Sequence, residues 1–138
     1  MYKNSNIILP RRATSKSAAY DIYSPTDFFI LPKSEFLLWT DVKVSMESDE
    51  VFDIITRSSL GIKQDIVLKN LVGKIDSDYY SNKNNDGAIG LCLKNTGWET
   101  RAFKAGDRLC QGTFYKYLIT DDDCPISEER VGGIGSTT

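Results

Sequence analysis

Short apolar or alternating runs, separated by turn residues and free of sustained helical spacing, constrain this chain more than any other feature. They are NIIL (6–9), DFFIL (27–31), EFLLWT (35–40), DVKVSM (41–46), VFDII (51–55), DIVL (65–68), NLVGKI (70–75), AIGLCL (88–93), WETRAF (98–103) and RLCQGTFYKYL (108–118). Between them fall LPKSE, ESDE, NKNNDG, KNTG and KAGD. Such segments are rich in residues that tolerate left-handed backbone or bond to their own main chain, which is why they turn. Many short strands at close spacing predict an all-β sandwich or barrel. SSLGIKQ (58–64) is the one stretch expected to make a helical turn. Both tryptophans lie in strand-like runs, where core packing explains them.

A chain of 138 residues is expected to form one domain, large enough to hide roughly 68% of the surface its unfolded form exposes. Residues 1–119 are expected to make the barrel. TDDDCPISEER (120–130) is an acidic, proline-interrupted linker, and VGGIGSTT (131–138) is rich in glycine and hydroxyls. Such an end can be a disordered tail. It can also be a mobile flap whose N–H groups and hydroxyls close over an anion.

Charge and residue usage remove several classes of function. The net charge is −2 and the longest basic run is Arg11-Arg12. Nucleic acid is therefore not expected as the main partner, because that affinity comes from neutralising several phosphates together. Histidine is absent, which removes Ser-His-Asp and Cys-His catalysis and argues against a transition-metal site. Any general base must be a carboxylate, Lys, Tyr or a metal-bound water. Cys92, Cys110 and Cys124 are widely spaced and odd in number, so a reducing, cytoplasmic setting is expected. Cys92 and Cys110, in apolar segments, are expected to be buried and inert. No apolar run reaches membrane-spanning length, and MYKNSNIILPRR lacks the order of a signal peptide.

Four segments carry chemistry. In KIDSDYY (74–80), Asp76 and Asp78 would point to the same face of an extended strand despite their like charges. In TRSSLG (56–61), Arg57 with Ser58 and Ser59 offers a donor fork and two hydroxyls suited to phosphate oxygens. In GDRLCQ (106–111), strict alternation puts Leu109 and Gln111 on one face and Arg108 and Cys110 on the other. Asp21 in SAAYDIYS (17–24) is an acid among apolar neighbours and needs a cation or a donor.

In this order and spacing, AAYDIYS, TRSSLG, NLVGKIDSDYY, GDRLCQGTF and GGIGST resemble the five motifs of the trimeric dUTP diphosphatases. The resemblance runs from about residue 17 to the C-terminus, and the third motif matches the pattern N-x-V-G-x-I-D-S-D-Y throughout. It implies a jelly-roll-like β-barrel, a homotrimer with active sites shared between subunits, and Mg²⁺-dependent hydrolysis of dUTP to dUMP and pyrophosphate. On that likeness Asp76 activates the attacking water, and Tyr79 packs under the deoxyribose and excludes a 2′-hydroxyl. Asn70, Gly73 and Ile75 belong to a hairpin that reads the uracil edge. Arg57, Ser58, Ser59 and Gln111 match contacts to the phosphate chain. Asp21 matches an acid that supports Mg²⁺ through its water ligands. Arg130, Gly133, Ile134, Gly135 and Ser136 fall in the closing flap. Asp78 is assigned to structural hydrogen bonding.

The chain departs from the family pattern in places. Thr56 and Ser59 replace the proline and glycine of the second motif, and Ser81 stands for a glycine in the third. Glu129 falls where the family carries a phosphate-binding arginine, with Arg130 one residue nearer the glycines. Ile134 falls where a phenylalanine stacks over the uracil, and it offers apolar contact without a π-face. Two alternatives share the fold. A dCTP deaminase needs a glutamate in the strand after the third motif, where Cys92 aligns. Some viral and phage relatives act as nucleotide-switched regulators with a protein partner. A lysine- and asparagine-rich composition fits an AT-rich source such as a phage, in which case the setting would be the host cytoplasm.

Overall fold

Backbone groups along short apolar runs must find partners, and here they do so by pairing strand to strand, antiparallel throughout the described residues. The structure is a computed structural model and describes residues 7–130 and 132–135. The strands are β1 (Arg11–Arg12), β2 (Tyr20–Tyr23), β3 (Phe28–Ile30), β4 (Glu35–Trp39), β5 (Glu50–Thr56), β6 (Ile66–Leu68), β7 (Gly73–Asp76), β8 (Gly90–Asn95), β9 (Arg101–Phe103) and β10 (Arg108–Lys116). One helix, α1 (Ser58–Lys63), follows β5, and a 3₁₀ turn (Ser77–Tyr79) follows β7. The strands form a five-stranded sheet β1-β2-β10-β5-β7, a three-stranded sheet β4-β8-β6 and the pair β3-β9. The architecture is all-β and jelly-roll-like.

The core lies between these sheets. Ile22, Phe52, Ile54, Leu109 and Cys110 from the five-stranded sheet meet Leu38, Ile66, Leu68, Leu91 and Leu93 from the three-stranded one, with Phe28, Ile30 and Phe103 closing one end. Each such side chain contributes roughly 1.5–3 kcal/mol when fully buried. Phe28 stacks between Phe36 and Phe103 at centroid distances of 4.9 and 5.0 Å. Gly112 on β10 is required by close approach: a Cβ there would run into the Phe52 ring. Regular structure ends at Lys116, and the described residues beyond it contain no strand or helix.

Four local expectations are corrected. Described residues 7–9 of the first apolar run are not in a strand. Residues 41–46 are also irregular, because Asp41 adopts φ +58° and turns the chain out of β4. Val42 nevertheless accepts a 2.9 Å bond from the Ile89 N–H. β2, within SAAYDIYS, is a strand that its apolar pattern did not announce. Trp98 is 83% exposed, with the Lys33 ammonium 4.1 Å above its ring, while Trp39 is half-buried.

Candidate functional site

The segment between β6 and β7 determines where a ligand can enter. β6 is the last strand of one sheet and β7 the last strand of another, so the two run apart instead of pairing as a hairpin. The link is tight: Leu71 adopts φ +65°, its N–H donates to the Leu68 carbonyl (3.0 Å), and the Val72 N–H donates to Asn70 (2.7 Å). The parting leaves a cavity of about 540 Å³, lined by Ile54, Asn70, Gly73, Ile75, Asp76 and Tyr79 on one side and by Leu68, Gly90, Leu91 and Cys92 on the other. Terminal strands carry backbone N–H and C=O groups without a ladder partner on one side, which suits them to reading a planar polar edge.

At the mouth of this cavity stand Asp76 and Asp78. Asp76 ends β7 and Asp78 lies in the 3₁₀ turn. Their like charges are offset by one guanidinium. Arg130 Nη2 donates to Asp76 Oδ2 at 2.6 Å and Arg130 Nε to Asp78 Oδ1 at 2.8 Å, with the Arg130 side chain 9% exposed. This pair of contacts lays the tail across the cavity of its own chain, where Gly133, Ile134 and Gly135 join the lining. Ser136 lies outside the described residues. Tyr79 is buried, its hydroxyl donating to the Ala88 carbonyl at 2.8 Å. Burial raises its pKa above the ordinary 10.0, although the Asn85 hydrogen bond and the nearby Arg130 charge oppose the rise.

The remaining expected residues gather elsewhere. Arg57 and Ser59 line a polar cavity of about 390 Å³ together with Gln64, Asp107 and Arg108. Asp21, 6% exposed, lies between two arginines: Arg57 Nε is 3.2 Å from Oδ1 and Arg108 Nη1 is 3.4 Å from Oδ2. The carboxylate holds both guanidiniums in place, and their fixed forks suit anionic oxygens. Arg57 also reaches Ser59 Oγ at 3.4 Å, while Ser58 is exposed at the start of α1. Gln111 sits on β10 opposite Asp21 and Ile55, on the same sheet face as the acid.

Arg108 was misplaced by strict alternation. A β-bulge between Arg108 and Cys110 pairs Arg108 with Tyr23 and Cys110 with Ile22. The extra residue turns Arg108 toward Asp21 and buries Leu109 and Cys110 together. Cys110 is buried as expected, which pushes its thiol up to about 12. Cys92 is not: it is half-buried and lines the larger cavity.

Asp76 and Arg57 stand apart within the chain, although the Leu68 N–H, at the wall of the larger cavity, bonds Thr56, the residue before Arg57, at 2.8 Å. Asp76 pairs with Val51 on β5, and Arg57 directly follows the end of that strand. Six residues of extended chain span about 20 Å. That is more than a triphosphate bridges.

An antiparallel jelly roll with an acid and an aromatic at an open-mouthed cavity, and a cleft with two guanidiniums, defines a protein equipped to hold a flat polar group and an anionic chain at distinct places. A family model described as dUTPase matches residues 5–138. The deoxyuridine 5′-triphosphate nucleotidohydrolase of Lactococcus lactis is 39% identical over 137 residues, covering 99% of this chain and 91% of that protein. A dUTPase crystal structure from Streptococcus mutans superposes with a TM-score of 0.78 at 40% identity, covering 82% of this chain and 88% of that one. A D95N dUTPase from phage phi11 of S. aureus, described with a structural Mg(II) ion, shares the fold at 22% identity and a TM-score of 0.75, covering 91% of this chain and 94% of that one. The chain belongs to the dUTPase family.

Proposed function

We propose that this chain hydrolyses dUTP to dUMP and pyrophosphate, with the base and sugar in the cavity between β6 and β7 and the phosphates reaching an Arg57 cleft. The observation that carries the reading is Asp76 at the rim of a cavity whose wall is Tyr79, within a chain of this family. Asp76 accepts the proton of the attacking water. A positioned carboxylate with charge neutralisation suffices for phosphoryl chemistry, which needs little covalent help. The Tyr79 ring packs under the deoxyribose. Backbone groups of Gly73 and Ile75, with Asn70, satisfy the uracil edge where cytosine would leave buried groups unpaired.

Asp76 and Arg57 lie about 20 Å apart along the backbone of β5, which supports their serving one triphosphate from different chains. The site is therefore completed between subunits, and a closed homotrimer is the assembly that this reading requires. The tail closes over the nucleotide, and the phosphates compete with Asp76 and Asp78 for Arg130.

Mg²⁺ is tested by the donor set. Among the described residues no three His, Cys, Asp or Glu side chains converge on a point, and both oxygens of Asp21 face guanidiniums. Direct ligation by the protein does not fit, whereas an ion carried on substrate oxygens and retaining its waters does. Asp21 would hold it through water, and when bound it supplies charge neutralisation to the phosphates. Deamination is disfavoured because the cavity presents the Cys92 thiol where the deaminases carry a glutamate.

The test is pyrophosphate release from dUTP, dCTP, dTTP and UTP in turn, with Mg²⁺ and with chelator. Release from dUTP alone, lost with chelator, is expected. Ammonia from dCTP, or no release from any nucleotide, contradicts the reading.

A further inference from the structure

Tyr79 is held by a segment that, past Ser81, the five motifs do not include. Residues 81–87 (SNKNNDG) form a loop with three left-handed positions, Ser81, Asp86 and Gly87 at φ +59°, +58° and +86°. Its interior is occupied by two buried asparagines, whose side chains bond Tyr79 and the loop itself. Asn82 Nδ2 donates to the Tyr79 carbonyl (2.7 Å) and to Asn85 Oδ1 (2.7 Å), while Asn82 Oδ1 accepts from the Asn84 and Asn85 N–H groups (3.0 and 3.1 Å). Asn85 Oδ1 also accepts from the Gly87 N–H (3.1 Å), and its Nδ2 donates to the Tyr79 hydroxyl (2.7 Å). The phenol O–H donates to the Ala88 carbonyl at 2.8 Å. Outside the loop, Lys43 ties Asp86 (3.0 Å) and Ser81 (3.2 Å) and lies 4.2 Å over the Tyr80 ring.

A buried phenol with one donor and one acceptor bond cannot swing its ring without leaving polar groups unpaired. The tail meets the same residue: a Cβ on Gly133 would lie 2.7 Å from Asn85 Nδ2. Asn85 thus touches both the ring that walls the cavity and the glycine that closes it.

We propose that Asn85 is a positioning residue for sugar discrimination, acting through the Tyr79 hydroxyl and seating the tail at Gly133. The proposal rests on the reading of Tyr79 as the wall under the deoxyribose. A ring fixed at both hydroxyl bonds presents a rigid surface that a 2′-hydroxyl cannot displace. A ring freed of Asn85 yields and admits the larger sugar.

The test measures kcat and KM for dUTP and UTP, with thermal unfolding in parallel, on the full chain and on Asn85→Asp, Tyr79→Phe and the double variant. Asn85→Asp keeps the volume but removes the donor to the phenol. It is expected to lower the dUTP-to-UTP ratio of kcat/KM about tenfold, with no further drop when added to Tyr79→Phe. An unchanged ratio in folded Asn85→Asp overturns the proposal. So does an equal drop in the Tyr79→Phe background, since the effect would then bypass the hydroxyl. If Asn85→Asp does not fold, Gly133→Ala presses on the same amide from the tail. It is expected to raise KM for dUTP about threefold, and an unchanged KM overturns the proposal. Wild-type chain without preference for dUTP overturns the functional reading itself, which separates the two failures.

Discussion

The two cavities are built on opposite plans. The larger one opens where two terminal strands part; β8, Tyr79 of the 3₁₀ turn and the tail supply the rest of its wall, and the asparagine loop holds Tyr79 from behind. The smaller one sits on strand ends and α1, with its charge set by Asp21 between Arg57 and Arg108. The first is closed by its own chain; the second presents the guanidiniums of Arg57 and Arg108, and Arg57 lies about 20 Å from Asp76 along β5. The difference teaches that a cavity for a flat group can be built and closed by one chain, whereas the arginine cleft, on the proposed reading, serves a site completed by another copy.

The sharpest way to break that division is Asp76→Asn. It is expected to lower kcat for dUTP about a thousandfold while nucleotide affinity stays within severalfold, measured by pyrophosphate release and by calorimetry. Unchanged turnover would remove Asp76 as the base. Arg57→Ala attacks the other half. It removes a charge-assisted contact and leaves Asp21 with Arg108 alone, so kcat/KM is expected to fall about a hundredfold. A purely structural Arg57 would lower thermal stability with little change in kcat/KM.

Much of this division was legible in the residues. Asp76 on a strand and the helical turn at 58–63 stand where the sequence puts them, whereas Asp78 and Tyr79 lie in a 3₁₀ turn instead of continuing the strand. Arg108 was not legible, because one extra residue in a bulge reverses the face of everything before it, and alternation carries no mark of that. Cys92 looked like core because its neighbours in the run are apolar, yet the parting of β6 and β7 opens a cavity beside it. NKNNDG reads as a turn, and only the fold shows that its asparagines face inward to hold a phenol. Arg130 bridging Asp76 and Asp78 depends on the path of a tail with no periodic pattern.

Smaller effects sharpen the comparison. Asp78→Asn removes one of the two Arg130 pairs, both on half-exposed carboxylates where water screens the charges. KM for dUTP is expected to shift about threefold with kcat nearly unchanged, which separates tail closure from chemistry. The core responds to pH. Burial raises the Cys110 thiol from 9.0 to about 12, so the folded chain keeps the proton that the unfolded chain releases. Its contribution to stability is full below pH 9 and is lost as pH rises toward 12, at about 1.4 kcal/mol per pH unit. Cys110→Ala is expected to be less stable at neutral pH but to show that much shallower a decline across the window, measured by denaturant unfolding.

The measurement that bears most directly on the division is complementation. Asp76→Asn and Arg57→Ala chains, each expected to keep about a hundredth of wild-type activity or less, are unfolded together, refolded and assayed for pyrophosphate release from dUTP at low concentration. If one chain supplies Asp76 and another supplies Arg57, random mixing gives about a quarter of sites with both residues intact, and about a quarter of wild-type activity returns. If both residues act within the same chain, no mixed site is complete, and activity stays at the level of the separate variants.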